Sequence, residues 1–127
     1  LRIVLVWRRS LLMGLGTDIV EIERIRHNMN EKFLLRIFTA EERKRIEGKS
    51  YRAAGIFAAK EAASKALGTG IKGLGWHDIE ILKKESGKPY VRLHGKAEKL
   101  AKEQGIKEME ISISHCRNYA TAVASFR

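Results

Sequence analysis

The chain has 127 residues, 44% of them hydrophobic and 31% charged, with 25 Lys and Arg against 15 Asp and Glu for a net charge of +10. That length supports one domain with one core, a single proline and a full set of aliphatics exclude a disordered chain, and no apolar run approaches the roughly 20 residues that a membrane-spanning helix needs. A lone cysteine, Cys116, excludes an internal disulfide and a multi-thiolate metal centre and suits a reducing, cytoplasmic compartment, while the positive surplus calls for an anionic partner: nucleic acid, a phosphorylated small molecule or an acidic protein.

Residues 1–12 (LRIVLVWRRSLL) place Arg8 and Arg9 after the apolar stretch, the reverse of a secretory signal, and no small-residue cleavage site follows. They read as an N-terminal extension before a single domain at 13–127. From 14 to 22 the run GLGTDIVEI alternates as a strand, with Gly14, Gly16, Asp18 and Val20 on one face. A short helix follows through Arg24, Ile25 and Asn28, a second is predicted over 32–37, and Thr39 with Glu42 forms the capping box of a third. Ser50 is positioned to cap the longest helix, 51–67, which holds seven alanines and Gly55 and ends at Gly68. A glycine-rich stretch leads to a strand predicted over 76–82, an ESGK turn and a strand over 90–93. A helix over 96–104 ends at Gly105, and Met109, Ile111 and Ile113 alternate toward His115 before a turn at Arg117 and Asn118 and a last strand over 119–126. This order of elements specifies an α+β domain with an antiparallel sheet, one long central helix and several short ones.

Two carboxylates have unusual surroundings. Asp18 follows two glycines on its strand face, and Glu61 shares a helical stripe with Ala54, Phe57, Ala58 and Lys65. A buried carboxylate needs a cation or a hydrogen-bond network. If the two meet in space they offer hard oxygen ligands to Mg²⁺, which takes one or two carboxylates and fills its shell with water and phosphate. The plainer alternatives are an i,i+4 ion pair of Glu61 with Lys65 and a helix-capping role for Asp18. The stretch 60–70 (KEAASKALGTG) brings Lys60, Ser64 and Lys65 onto the helix and ends in the glycine-flanked Thr69, groups suited to a phosphate, although the glycines follow the helix and exclude a P-loop; a glycine helix cap explains them equally well. His115 ends a strand, where a structural histidine is the usual occupant, and no spaced ligand set for zinc or nucleophile with an orienting base is present in the pattern.

The motifs GLGTDIVEIERI, IFTAEE, FAAKEAASKALGTGI, WHDIEI with GKPYV, and ISISHCRNYATAVA, in this order and spacing, resemble the holo-[acyl-carrier-protein] synthases, small bacterial phosphopantetheinyl transferases, over 13–126. The resemblance implies a phosphopantetheinyl transferase-like fold. It also implies Mg²⁺-dependent transfer of 4′-phosphopantetheine from coenzyme A to a serine of an apo acyl carrier protein, releasing adenosine 3′,5′-bisphosphate, in support of fatty acid biosynthesis. On the same footing, Asp18 and Glu61 match the family's metal ligands and Lys65 the lysine beside the phosphates. Ser64, Gly68, Thr69 and Gly70 match positions that wrap coenzyme A, and Lys88, Pro89 and His115 match positions near its nucleotide. Arg24 and Arg26 fall on the helix that meets the acidic carrier protein, and the family assembles as a homotrimer with active sites between subunits. Two features depart from the family pattern: the extension at 1–12, and a loop at 27–33 that is short for it.

Two rival readings remain. The +10 charge fits a nucleic-acid-binding domain, but the aromatics are scattered and no RRM, zinc-finger or helix-turn-helix signature appears. A noncatalytic carrier-binding module of the same fold would have no need of Asp18, Glu61 and Lys65 together.

Overall fold

The computed structural model describes residues 14–127, so the segment read as an extension lies outside the described residues. Strand β1 (Gly14–Glu21) leads into three short helices, α1 (Ile22–Asn28), α2 (Glu31–Ile37) and α3 (Ala40–Ile46), and then into the long helix α4 (Ser50–Ala66). Single 3₁₀ turns at Ile71–Gly73 and Trp76–Asp78 precede β2 (Ile79–Lys83) and β3 (Pro89–Leu93), followed by α5 (Gly95–Glu103), β4 (Met109–His115) and β5 (Tyr119–Phe126). The strands form two antiparallel sheets, one of three strands in the order β1-β5-β4 and a separate hairpin, β2-β3.

Helix α4 lies across the three-stranded sheet because both surfaces are made of small side chains. Ala120, Ala122 and Ala124 point inward from β5, and Ala54, Ala58, Ala59, Ala62 and Ala63 are buried on the helix. The closest approach is at Gly16, paired in register with Ala124, where a Cβ would stand 2.0 Å from the carbonyl oxygen of Ala62 and 2.6 Å from the amide of Ala66. The glycine is required there by contact with backbone, which has no rotamer to yield. At the other end of the core Ile37, Phe38 and Ile46 from the short helices are fully buried and contribute about 1.5–3 kcal/mol each by leaving water. The opposite face of the sheet carries exposed apolar side chains, with Leu15 73% and Ile19 65% exposed on β1 beside Tyr119 and Val123 of β5.

The predicted capping box is present, with Thr39 Oγ1 accepting from the Glu42 amide and Glu42 Oε1 from the Thr39 amide. Asn30 caps α2, accepting from the Phe33 amide, which leaves only two residues between α1 and α2. Two local expectations are corrected. Ser50 is the first residue of α4 and does not cap it; the cap position is Lys49, with no side-chain bond. The strand predicted from residue 76 begins at Ile79, because Asp78 turns back to accept from the Gly75 amide and closes a 3₁₀ turn over Trp76–Asp78.

Gly16→Ala would force β1 and α4 apart. We expect a loss of roughly 1–3 kcal/mol, the usual cost of overpacking, and a melting temperature lower by about 5–10 °C, read by thermal unfolding.

Candidate active site

The period of β1 carries the helix-facing position from Gly16 to Asp18, above the second half of α4. There the Lys65 ammonium donates to Asp18 Oδ1 at 3.1 Å and to the Thr17 carbonyl at 3.0 Å. The Asp18 side chain is only 16% exposed, and its second oxygen, Oδ2, is buried with no hydrogen-bond partner. The capping alternative for Asp18 is excluded, since the residue at the cap of α1 is Glu21. The i,i+4 pair of Glu61 with Lys65 is absent as well, because the lysine is spent on β1.

Glu61 lies one helical turn before Lys65 and is half-buried. Burial and then the neighbouring Asp18 charge push its carboxyl above the ordinary range, against a smaller opposing effect from Lys65. Asp18 and Glu61 line one cleft of about 570 Å³, whose walls include Arg24, Arg36, Phe57 and Trp76. Two carboxylates share a concave site, one with a bare buried oxygen and the other with its charge disfavoured. A divalent cation would satisfy both conditions, and the hard oxygen donors suit Mg²⁺.

The other sequence-predicted residues are placed differently. Arg24 lines the cleft, whereas Arg26 is paired with Glu23 on its own helix. Ser64 is fully buried, its hydroxyl donating to the Glu61 carbonyl at 2.7 Å. Gly68 and Gly70 take positive φ, and the amides of Thr69 and Gly70 donate to the Ser64 carbonyl, so this segment caps the helix in the described protein. Lys88 is exposed and pairs with Glu110 at 3.1 Å.

Pro89 and His115 line a second cleft of about 450 Å³ with Arg45, Tyr51, Arg52 and Lys83. The His115 and Tyr51 rings are 5.2 Å apart, and the Arg52 guanidinium lies 5.8 Å from the Tyr51 ring centre. Arg45 donates to the Ile81 carbonyl, and its Nε is buried without a partner. Our sequence reading missed Arg45, Tyr51 and Arg52; the only signal was an arginine on each side of the glycine turn before α4. Tyr51, Arg52, Gly55 and Ile56 face this cleft while Phe57 and Glu61 face the first, so the two clefts lie on different sides of α4.

Because folding raises the affinity of Glu61 for its proton, Glu61 costs stability as the pH rises through the carboxylate range. In metal-free buffer Glu61→Gln is therefore expected to melt above wild type at neutral pH, with the advantage vanishing as the pH falls to about 4. Thermal unfolding across that range in EDTA reads the sign directly.

Comparison with known proteins assigns the chain to a family. The sequence profile of the 4′-phosphopantetheinyl transferase superfamily matches residues 14–124. A holo-[acyl-carrier-protein] synthase of Caldanaerobacter subterraneus subsp. tengcongensis is 52% identical over 114 residues, covering 86% of this chain and 90% of that protein. One from Alkaliphilus metalliredigens is 49% identical over 119 residues, covering 90% and 98%. Among solved structures, the Helicobacter pylori holo-[acyl-carrier-protein] synthase in complex with coenzyme A superimposes with a TM-score of 0.81 at 37% identity, over 89% of this chain and 99% of that one. Within the 4′-phosphopantetheinyl transferase superfamily, this chain belongs to the holo-[acyl-carrier-protein] synthases.

Proposed function

We infer that this chain transfers the 4′-phosphopantetheine group of coenzyme A to a serine of an apo acyl carrier protein, in service of fatty acid biosynthesis. The serine oxygen attacks the phosphorus that carries the pantetheine arm, the bond from that phosphorus to the bridging oxygen breaks, and adenosine 3′,5′-bisphosphate leaves. The serine proton passes to water, which balances the additional negative charge carried by the two products. The observation that carries this reading is the buried, unpartnered Asp18 Oδ2 beside Glu61 in an open cleft.

Asp18 and Glu61 would hold Mg²⁺. Such an ion, when bound, neutralises diphosphate charge and stabilises the leaving group. Lys65, fixed by Asp18 and the Thr17 carbonyl, keeps its ammonium half-exposed at the rim, where it can meet phosphate oxygens. Arg24 and Arg36 give the same cleft a basic edge suited to an acidic carrier protein, with Arg26 in reserve behind its pair with Glu23. Arg45, Arg52, Lys83 and His115 make the second cleft a receptor for the phosphorylated nucleotide end, joined by Pro89, while Lys88 precedes Pro89 in the chain and is paired with Glu110. In this reading Ser64, Gly68, Thr69 and Gly70 shape the end of α4 under the phosphates.

The two clefts lie on different sides of α4, and one coenzyme A must touch both kinds of surface. Assembly of copies resolves this, the second cleft of one subunit facing the carboxylates of the next. The exposed Leu15, Ile19, Tyr119 and Val123 supply an apolar face for that contact. We place this homotrimer in the cytoplasm, where its substrates are; no helix among the described residues is long and apolar enough to cross a membrane.

Intact-mass spectrometry of an apo acyl carrier protein incubated with the enzyme, coenzyme A and Mg²⁺ tests the reaction. The carrier should gain one phosphopantetheine, the gain should vanish in EDTA, and Asp18→Ala or Glu61→Ala should slow it at least about 100-fold. A nucleic-acid-binding module would not suffer from losing an acid. The assembly is tested by light scattering on a sizing column: wild type should elute at three times the 14.4 kDa chain mass, and Ile19→Asp should break it into smaller species without activity.

A further inference from the structure

Outside the clefts, one ion pair among the described residues is fully buried. Glu42 of α3 and Lys60 of α4 are both 0% exposed and meet at 2.9 Å. The Lys60 ammonium also donates to the Ile79 carbonyl at 2.6 Å and to the Trp76 carbonyl at 2.8 Å. Glu42 Oε1 accepts from the Thr39 amide at 2.8 Å and Oε2 from the Ile81 amide at 2.7 Å. Thr39 extends the network by donating to Glu80, which pairs with His94 at 3.0 Å. All three ammonium protons and both carboxylate oxygens have partners.

Such a pair is a poor source of stability, because desolvating two charges offsets most of their attraction, and well-packed apolar residues often do as well. Burial itself drives the Lys60 ammonium toward the neutral form, with Glu42 opposing. What the pair supplies is geometry. The two carbonyls held by Lys60 flank the 3₁₀ turn that carries Trp76 into β2, and no apolar residue could hold them. The Trp76 indole rests on Phe57 with ring centres 5.1 Å apart, and both rings line the cleft of Asp18 and Glu61. Phe57 stands one helical turn before Glu61, so the indole braces the stripe that presents the carboxylate.

We propose that Glu42 and Lys60 are positioning residues for the transfer reaction: by clamping the Trp76 and Ile79 carbonyls to α4 they fix the Trp76–Phe57 wall, and through it the placement of Glu61. This inference rests on the transferase reading above. Without the clamp the two carbonyls turn to water, the turn opens, and the indole leaves the phenyl ring.

The test uses the double variant Glu42→Gln/Lys60→Met, which removes both charges while the glutamine retains the capping box, in a Trp7→Phe background so that Trp76 is the single tryptophan. The expected result is a folded protein with a melting temperature about 5–10 °C below the parent, because the glutamine accepts from the Thr39 amide but leaves the buried Ile81 amide without its acceptor. The Trp76 emission should shift to the red, and kcat should fall about tenfold with the KM for coenzyme A changed less than about threefold. A residue important only for stability would move the melting temperature and leave kcat and emission alone. Trp76→Ala, which leaves the buried pair untouched, should reproduce the loss in kcat. The proposal is overturned if the folded double variant keeps kcat within twofold and its emission unchanged. It is overturned equally, whether or not the double variant folds, if Trp76→Ala keeps wild-type kcat. Failure of the parent protein to modify any carrier would instead remove the transferase reading, and the emission comparison would still decide whether the pair holds the turn.

Discussion

The close contact of β1 with α4 is the constraint on which the rest of the structure depends. At Gly16 the strand backbone touches the helix backbone with no side chain between them, and the alanines of α4 and β5 keep the surrounding surface equally shallow. Alternation along the strand then puts the next inward residue, Asp18, over the turn of α4 that carries Glu61 and Lys65. A larger residue at Gly16 would lift the strand and separate the carboxylates. Packing and chemistry are thus set by the same few ångströms.

That contact also explains the charge arrangement. Asp18 is close enough to the helix for Lys65 to reach both its Oδ1 and the Thr17 carbonyl, which immobilises the lysine and leaves Oδ2 bare. Burial first, and the Asp18 charge second, disfavour the Glu61 carboxylate, while Arg24 and Arg36 lie on the walls of the same cleft. A protein selected for stability alone would replace one of these acids; the proposed metal site would require both. The cost is carried by the apolar core of the short helices and by a helix of residues with the highest intrinsic helical propensity.

The buried Glu42–Lys60 pair works on the other flank of α4, joining α3, the 3₁₀ turn and β2 to the helix. Helix α4 is therefore held from two sides, by small-residue contact with the sheet and by directional hydrogen bonds to the hairpin. The first allows close approach and the second fixes rotation. Between them the stripe of Phe57, Glu61 and Lys65 is held by contacts on two sides, the preorganisation that the proposed transfer would require.

Much of this was legible in the residues. Periodicity placed Gly16 and Asp18 on one strand face and Glu61 and Lys65 on one helical stripe, the Thr39–Glu42 box announced α3, and the motif order identified the family, because these are local signals with fixed spacing. Other features were decided only in three dimensions. Whether Lys65 would pair with Glu61 or with Asp18 depended on how near β1 lies, a distance no spacing encodes. The turn at Trp76–Asp78 interrupts a run that alternates like a strand, since a lysine 16 residues upstream holds the Trp76 carbonyl. Lys60 read with Lys65 as an ammonium suited to a phosphate, but its ammonium is buried on Glu42; no spacing singled out Arg45, Tyr51 or Arg52. Sequence by itself determined the elements, the family and the metal-site candidates, for which nearest-neighbour chemistry suffices. The tertiary structure decided which charges are paired, which oxygen is left bare and which arginines share a cleft, because burial and long-range proximity arise only once the chain has closed on itself.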